Sequence, residues 1–250
     1  MGTSDFTKQP WASGPAEILG HGLGLLSAKD SDSNRRLAII SIDNAVELMI
    51  KTYLGLPTRI SGLKITRKEY AEFSESFPRL LDALETHAAK KLDGIDLGEV
   101  EWYHRLRNEL YHQGNGLTVE RRKVEVYAEL AKILFRNLYG IELIADDPHS
   151  ADPLAVFMNS WVDLERRLHA LAAARGVAPY PRALVDGINQ LLGQGVLSQA
   201  EVKEFQVLRD LRNRVVHGQV DIKESLTKES LRRLKALLAK IPVDAPRSDA

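Results

Sequence analysis

The sequence predicts an all-α protein built as two consecutive four-helix up-and-down bundles, and three observations predict it. Apolar residues recur at steps of three and four through most of the 250 residues, the period of a helix with one buried face. No stretch alternates apolar and polar residues as a half-buried strand would. The third observation is an internal repeat: Arg107-Asn108-Glu109-Leu110-Tyr111-His112 returns 105 positions later as Arg212-Asn213-Arg214-Val215-Val216-His217. The same shift pairs Glu99 with Glu204, Val100 with Phe205, Tyr103 with Leu208 and Leu106 with Leu211, so the likeness extends beyond the motif and reads as a duplication.

Length and composition fit that plan. A chain of this size supports two modest domains, each with its own core. Formal net charge is zero, which gives no overall electrostatic case for nucleic acid, so such a partner would need a local patch. Cysteine is absent, excluding disulfides, thiolate metal sites and cysteine nucleophiles. Residues 1–15 carry no secretory pattern, no run approaches a membrane span, and Phe6 stands where a myristoylation signal would place Ser or Thr. The expectation is a soluble cytoplasmic protein with no membrane partner.

Residues 1–13, polar and holding Gly, Pro and Trp11, read as a loosely held tail. A first bundle is expected over 14–139. It opens with a short helix over 14–29 around Ile18, Leu23, Leu25 and Leu26, weakened by Gly20, Gly22 and Gly24 at about 1 kcal/mol each. Asp32 or Ser33 caps the next helix, which runs to about Leu54 on Ile39, Ile42, Val46, Met49, Ile50 and Tyr53 and stops at Gly55 and Pro57. Asp43, Glu47 and Lys51 form a ladder on its outer face. Residues 67–92 read helical, with Pro78 either starting a new helix or kinking one. A helix from about Leu97 to His112 delivers the first motif, and another from Thr118 to Tyr139 carries Val124, Tyr127, Ala131, Leu134 and Leu138.

Residues 140–153, running from Gly140 to Pro153 with Asp146, Asp147, Pro148 and Asp152 between, read as a linker. The second bundle, expected over 154–241, repeats the plan. Phe157, Trp161, Leu164, Leu168 and Leu171 stripe one helix that Gly176 ends, and Pro181 begins another that runs to about Leu192. Ser198 caps a third, carrying Val202, Phe205, Leu208, Leu211 and Val215 to His217-Gly218. The fourth runs from about Ser225 with Leu231, Leu234, Leu238 and Ile241, and a polar tail follows Pro242.

Within each motif Asn and His are four residues apart and share a helix face, so Asn108 can touch His112 and Asn213 can touch His217. Arg107 and Arg212 lie about 140° round the helix from their His and reach back with long side chains. Gly218 suits a left-handed cap, which puts His217 at a helix end where the dipole favours a cation. An imidazole with an orienting amide and a nearby guanidinium is what phosphodiester cleavage requires: the His moves protons and the Arg clamps the phosphate. In RNA the neighbouring 2′-hydroxyl supplies the nucleophile, so no metal or cofactor is needed.

Arg, a polar residue, a short spacer and His at the end of the third helix of a small bundle resembles the HEPN superfamily. The resemblance spans about 33–139 and 154–241, and its specific part is the two short motifs. It implies a metal-independent endoribonuclease of bacterial toxin or phage-defence type, with RNA as substrate and an antitoxin or defence-system protein as partner. Carried over by residue, it implies that Arg107, Asn108 and His112 form one catalytic half-site and Arg212, Asn213 and His217 the other. The halves would pair as a covalent pseudo-dimer within one chain or across a homodimer. The toxins of this family that are regulated by nucleotidyl modification carry Tyr two residues after the motif His, where this chain has Gly114 and Gln219, so that regulation is not implied.

Tyr111, Arg209 and Arg214 are candidate substrate contacts, the first by stacking on bases and the others on phosphates. Trp102, Tyr103 and His104 also flank the first motif, but at helical spacing they read as core and rim residues. Arg, Asn and His at a helix end also serve simply to satisfy carbonyls, and it is the recurrence that favours a site. His21, His87, His149 and His169 lack metal-ligand spacing, so no metal is expected. Arg121, Arg122 and Lys123 read as a solvent-facing helix start. The rival expectation is a non-catalytic HEPN-like module that binds a protein partner or a nucleotide.

Overall fold

The computed structural model describes residues 9–112, 118–143, 153–177 and 184–241, with Tyr111 and His112 described in backbone only. Helices joined by turns and short loops make up those residues, with no strand among them. The chain divides into two compact units, Met1–Pro148 and His149–Ala250.

In the first unit Pro10–Ala12 form a 3-10 turn that leads into α1, Ser13–Ser27. Residues 9–13 are not the loose tail expected: Ala12 is fully buried and Gln9 Nε2 donates to the Tyr139 carbonyl at 3.0 Å. α1 also continues through its glycines, for a reason local propensity does not show. A Cβ on Gly22 would stand 2.8 Å from Ile42 Cγ1 and 3.2 Å from the Ala38 carbonyl, so glycine sets how closely α1 approaches α2, Asp32–Leu54. Ser31 caps α2, its hydroxyl accepting from the Asn34 amide at 3.1 Å.

α2 is the axis of the unit. Its predicted apolar residues are all buried, and it packs on α1, on α5, Phe77–Ala88, on α6, Leu97–His112, and on α7, Arg121–Tyr139. Between them lie a single turn, α3, Thr58–Ser61, and α4, Arg67–Phe73, which Thr66 and Glu69 start with a reciprocal capping box. Pro78 opens α5 and does not kink a longer helix. α7 is buried on nearly every side and ends on left-handed Gly140, φ 69°. The expectation that Arg121 faces solvent is corrected: its guanidinium donates to the Leu26 carbonyl at 2.8 Å and pairs with Glu125 at 2.6 Å, tying α7 to the end of α1.

One further correction bears on function. Asp43 does not lie on the outer face of α2 but is 0% exposed. Seven residues return a helix to within about 20° of the same direction, so Asp43 falls beside Ile50 in the apolar arc. Glu47 and Lys51 do lie outside that arc and pair at 2.6 Å.

The second unit contains α8, Pro153–Ala174, α9, Leu184–Gly193, α10, Gln199–Val216, a single turn α11, Ile222–Ser225, and α12, Lys228–Lys240. α8 packs on α9 and α12, and α10 packs on the same two helices. Trp161 of α8 stacks on Phe205 of α10 with ring centroids 5.3 Å apart. The helix predicted as one piece from Ser225 starts afresh at Lys228, capped by Thr227, after α11 capped by Asp221. Its buried stripe is Leu234, Leu237 and Ile241; Leu231 and Leu238 are only half-buried. Arg167 donates to the Leu238 carbonyl at 2.9 Å, closing the C-terminal end of α12. The expected helix start at Pro181 falls outside the described residues.

Candidate functional site

The first motif ends α6, and its arginine is turned towards α2. Arg107 Nε lies 3.2 Å from Asp43 Oδ2, and its two terminal nitrogens donate to the side-chain oxygens of Asn108, at 2.8 Å, and Asn44. The same Asp43 Oδ2 lies 2.9 Å from His104 Nδ1, while Oδ1 accepts from the Tyr127 hydroxyl at 2.8 Å. A carboxylate withdrawn from water at this depth would cost several kcal/mol without a countercharge. Arg107 supplies the charge, and the imidazole and phenol complete the hydrogen bonding.

Aromatic rings hold this cluster in place. Phe77, the first residue of α5, stacks on His104 at 3.9 Å and 15°, and Tyr103 stacks on Tyr127 at 4.4 Å and 6°. Burial, with the Asp43 charge next to it, pushes the Tyr127 phenol well above its usual value and keeps it a donor. Asn108 uses its side-chain oxygen on Arg107; the side chains of Tyr111 and His112 lie outside the described residues, and so does the expected contact from Asn108 to His112.

The second motif ends α10 in different company. His217 is the C-cap, φ −83° and ψ 5°, and Gly218 follows in the left-handed region at φ 65°. The Gly218 and Gln219 amides close the helix on the Val215 and Arg214 carbonyls at 3.0 and 2.8 Å. Asn213 and His217 meet through backbone, the His217 amide donating to the Asn213 carbonyl at 2.9 Å, and both side chains are half-buried. Arg212 is only 4% exposed, whereas Leu211, expected in the core, is half-buried. Arg209 and Arg214 are exposed, and Val207, Asp210, Asn213 and Arg214 line one shallow open face of α10.

The position of His104 is held by Arg209 in the second copy. The carboxylate–arginine pair of that unit instead joins Glu204 of α10 to Arg233 of α12 through two hydrogen bonds of 2.7 and 2.8 Å. Arg233 holds the Glu204 carboxyl below its ordinary range.

Asp43, Asn44, His104 and Tyr127 are the members of this constellation that sequence reasoning left out. Two signals were available: an acidic residue seven positions from Ile50 on an apolar arc, and a His three residues before Arg107, hence on its face. Among the described residues no three His, Asp or Glu side chains are grouped to hold a metal, and no helix is long and apolar enough to cross a membrane. No family model matches this chain, and no curated protein or solved structure matches it either.

Proposed function

We propose that the chain is a metal-independent endoribonuclease of HEPN type, two four-helix bundles standing as a covalent pseudo-dimer in the cytoplasm. The observation that carries this reading is the end of α10, where half-buried His217 sits at a left-handed helix terminus beside exposed Arg214, with exposed Arg209 two turns earlier. That is an imidazole within reach of solvent, flanked by cations for phosphate. In this reading each half-site supplies one imidazole: one takes the 2′-hydroxyl proton as that oxygen attacks phosphorus, and the other protonates the leaving 5′-oxygen. Products end in 2′,3′-cyclic phosphate. The site forms within one chain or in a homodimer, and an antitoxin or defence-system protein restrains it.

A second reading has its own observation. Arg107 is engaged by Asp43 and Arg212 is buried, so neither motif arginine stands ready to clamp a phosphate. That favours a non-catalytic HEPN-like module binding a protein partner or a nucleotide. Incubation of mixed RNA in excess EDTA separates the two. Cyclic-phosphate fragments made by the native chain and lost in His217→Ala support the nuclease. Intact RNA across a broad substrate panel sinks it and leaves the binding module.

A further inference from the structure

We propose that His104, oriented by Asp43, is the proton-accepting group of the first half-site, a role distinct from anything the motif itself assigns. The inference rests on the nuclease reading above and deepens it. Its basis is the juxtaposition of a fully buried carboxylate with an imidazole that keeps a small part of its side chain in solvent. Asp43 Oδ2 takes His104 Nδ1 at 2.9 Å, and Phe77 lies flat on the ring at 3.9 Å, so both the tilt and the rotation of the imidazole are fixed.

The charge balance fixes the tautomer as well. The groups in contact with His104 and Asp43 are Arg107 from α6 and Tyr127 from α7, with uncharged Phe77 from α5, while Glu101, one turn before His104 on α6, pairs with Arg105. Arg107 already neutralises Asp43, so the carboxylate needs a donor from His104 and not a second cation. Nδ1 then carries the proton, and the lone pair is left on Nε2. The His104 side chain is 14% exposed. With Nδ1 turned to a carboxylate that solvent does not reach, the role requires Nε2 to be the atom that substrate meets. This is how a carboxylate prepares an imidazole as a general base in acyl-transfer triads, holding orientation and tautomer without taking the proton itself.

In the reaction, Nε2 takes the proton of the 2′-hydroxyl as that oxygen bonds to phosphorus. The bond from phosphorus to the 5′-oxygen breaks, and the 5′-oxygen leaves with a proton from a second imidazolium. His104 returns its proton to solvent when the cyclic phosphate departs. Asp43 is a positioning residue in this scheme, and Arg107 is its counterion.

His104→Gln is the first test, because the glutamine amide still donates to Asp43 and leaves the buried carboxylate satisfied. RNA cleavage in EDTA should lose about 10²- to 10⁴-fold in kcat, with KM and the melting temperature close to native. Native activity that survives His104→Gln, or that is lost in His112→Gln alone, overturns the assignment while the nuclease stands. A native chain that leaves all RNA intact removes the nuclease and this role with it, and the two failures are told apart by whether the native chain cleaves. Should His104→Gln not fold, nitrogen NMR of the native imidazole decides. The expected result is a proton on Nδ1, with the Nε2 resonance shifting when a 2′-deoxy oligonucleotide is added; a proton on Nε2, or an Nε2 resonance that does not move, overturns the role.

Discussion

Two carboxylates, each paired with an arginine beside a copy of the same motif, sit in opposite settings. Asp43 is fully buried and serves three partners from two other helices, His104 and Arg107 of α6 and Tyr127 of α7. Glu204 lies on the motif helix itself, with a side chain 30% exposed and held by two hydrogen bonds from Arg233. The letters Arg-Asn and His recur in both units, but the surroundings of those letters differ. In the first unit the carboxylate is buried and the motif arginine is partly exposed; in the second the carboxylate lies at a rim and Arg212 is buried.

The largest expected effect breaks that contrast from the buried side. Asp43→Ala leaves the Arg107 cation without its counterion in the interior, and the loss should be about 3–5 kcal/mol in urea denaturation. A loss below about 1 kcal/mol would show that the cluster behaves as a surface pair after all.

Tyr127→Phe should cost about 1–3 kcal/mol, the penalty for a buried acceptor that loses its donor. It also carries a pH signature. Because the folded phenol titrates above its unfolded value, its stabilisation is complete below about pH 10 and declines as pH rises further, where only the unfolded chain releases the proton. The native chain should lose stability above pH 10 more steeply than Tyr127→Phe does. Equal slopes would remove Tyr127 from the cluster.

The smallest effect is expected at Glu204→Ala, under about 1 kcal/mol at neutral pH, because the pair is half-exposed and screened. Arg233 lowers the folded Glu204 pKa, so the contribution is present above the ordinary carboxylate value and is lost as pH falls through the folded value. The gap between native and variant should therefore close in acid. A gap that persists there would assign the effect to packing.

Much of the fold was legible in the sequence because α2, α6, α8 and α10 each bury one arc of a regular period. The misses share a cause, which is that one element decided the environment of another. Gly22 weakens an isolated helix, and only the close approach of α1 to α2 explains it. Leu237 takes the core place expected of Leu238 because both follow Leu234 at helical spacing, and how α12 lies against α8 and α10 decides which of them is covered. At the site, spacing placed Arg107 next to Asn108 and His217 next to Gly218, since those relations are local. It could not show that Arg107 turns towards residue 43, because that depends on how α6 lies across α2.

The Asp43 cluster also orders events in time. Its partners lie 61 and 84 residues further along the chain. At typical rates of synthesis, on the order of 5–20 residues per second, roughly 4–17 s pass between the making of Asp43 and the making of Tyr127. During that interval the arc of α2 that holds Ile39 and Ile50 lacks its cover from α7, and the nascent first unit offers an apolar face with an acidic centre to whatever chaperone meets it.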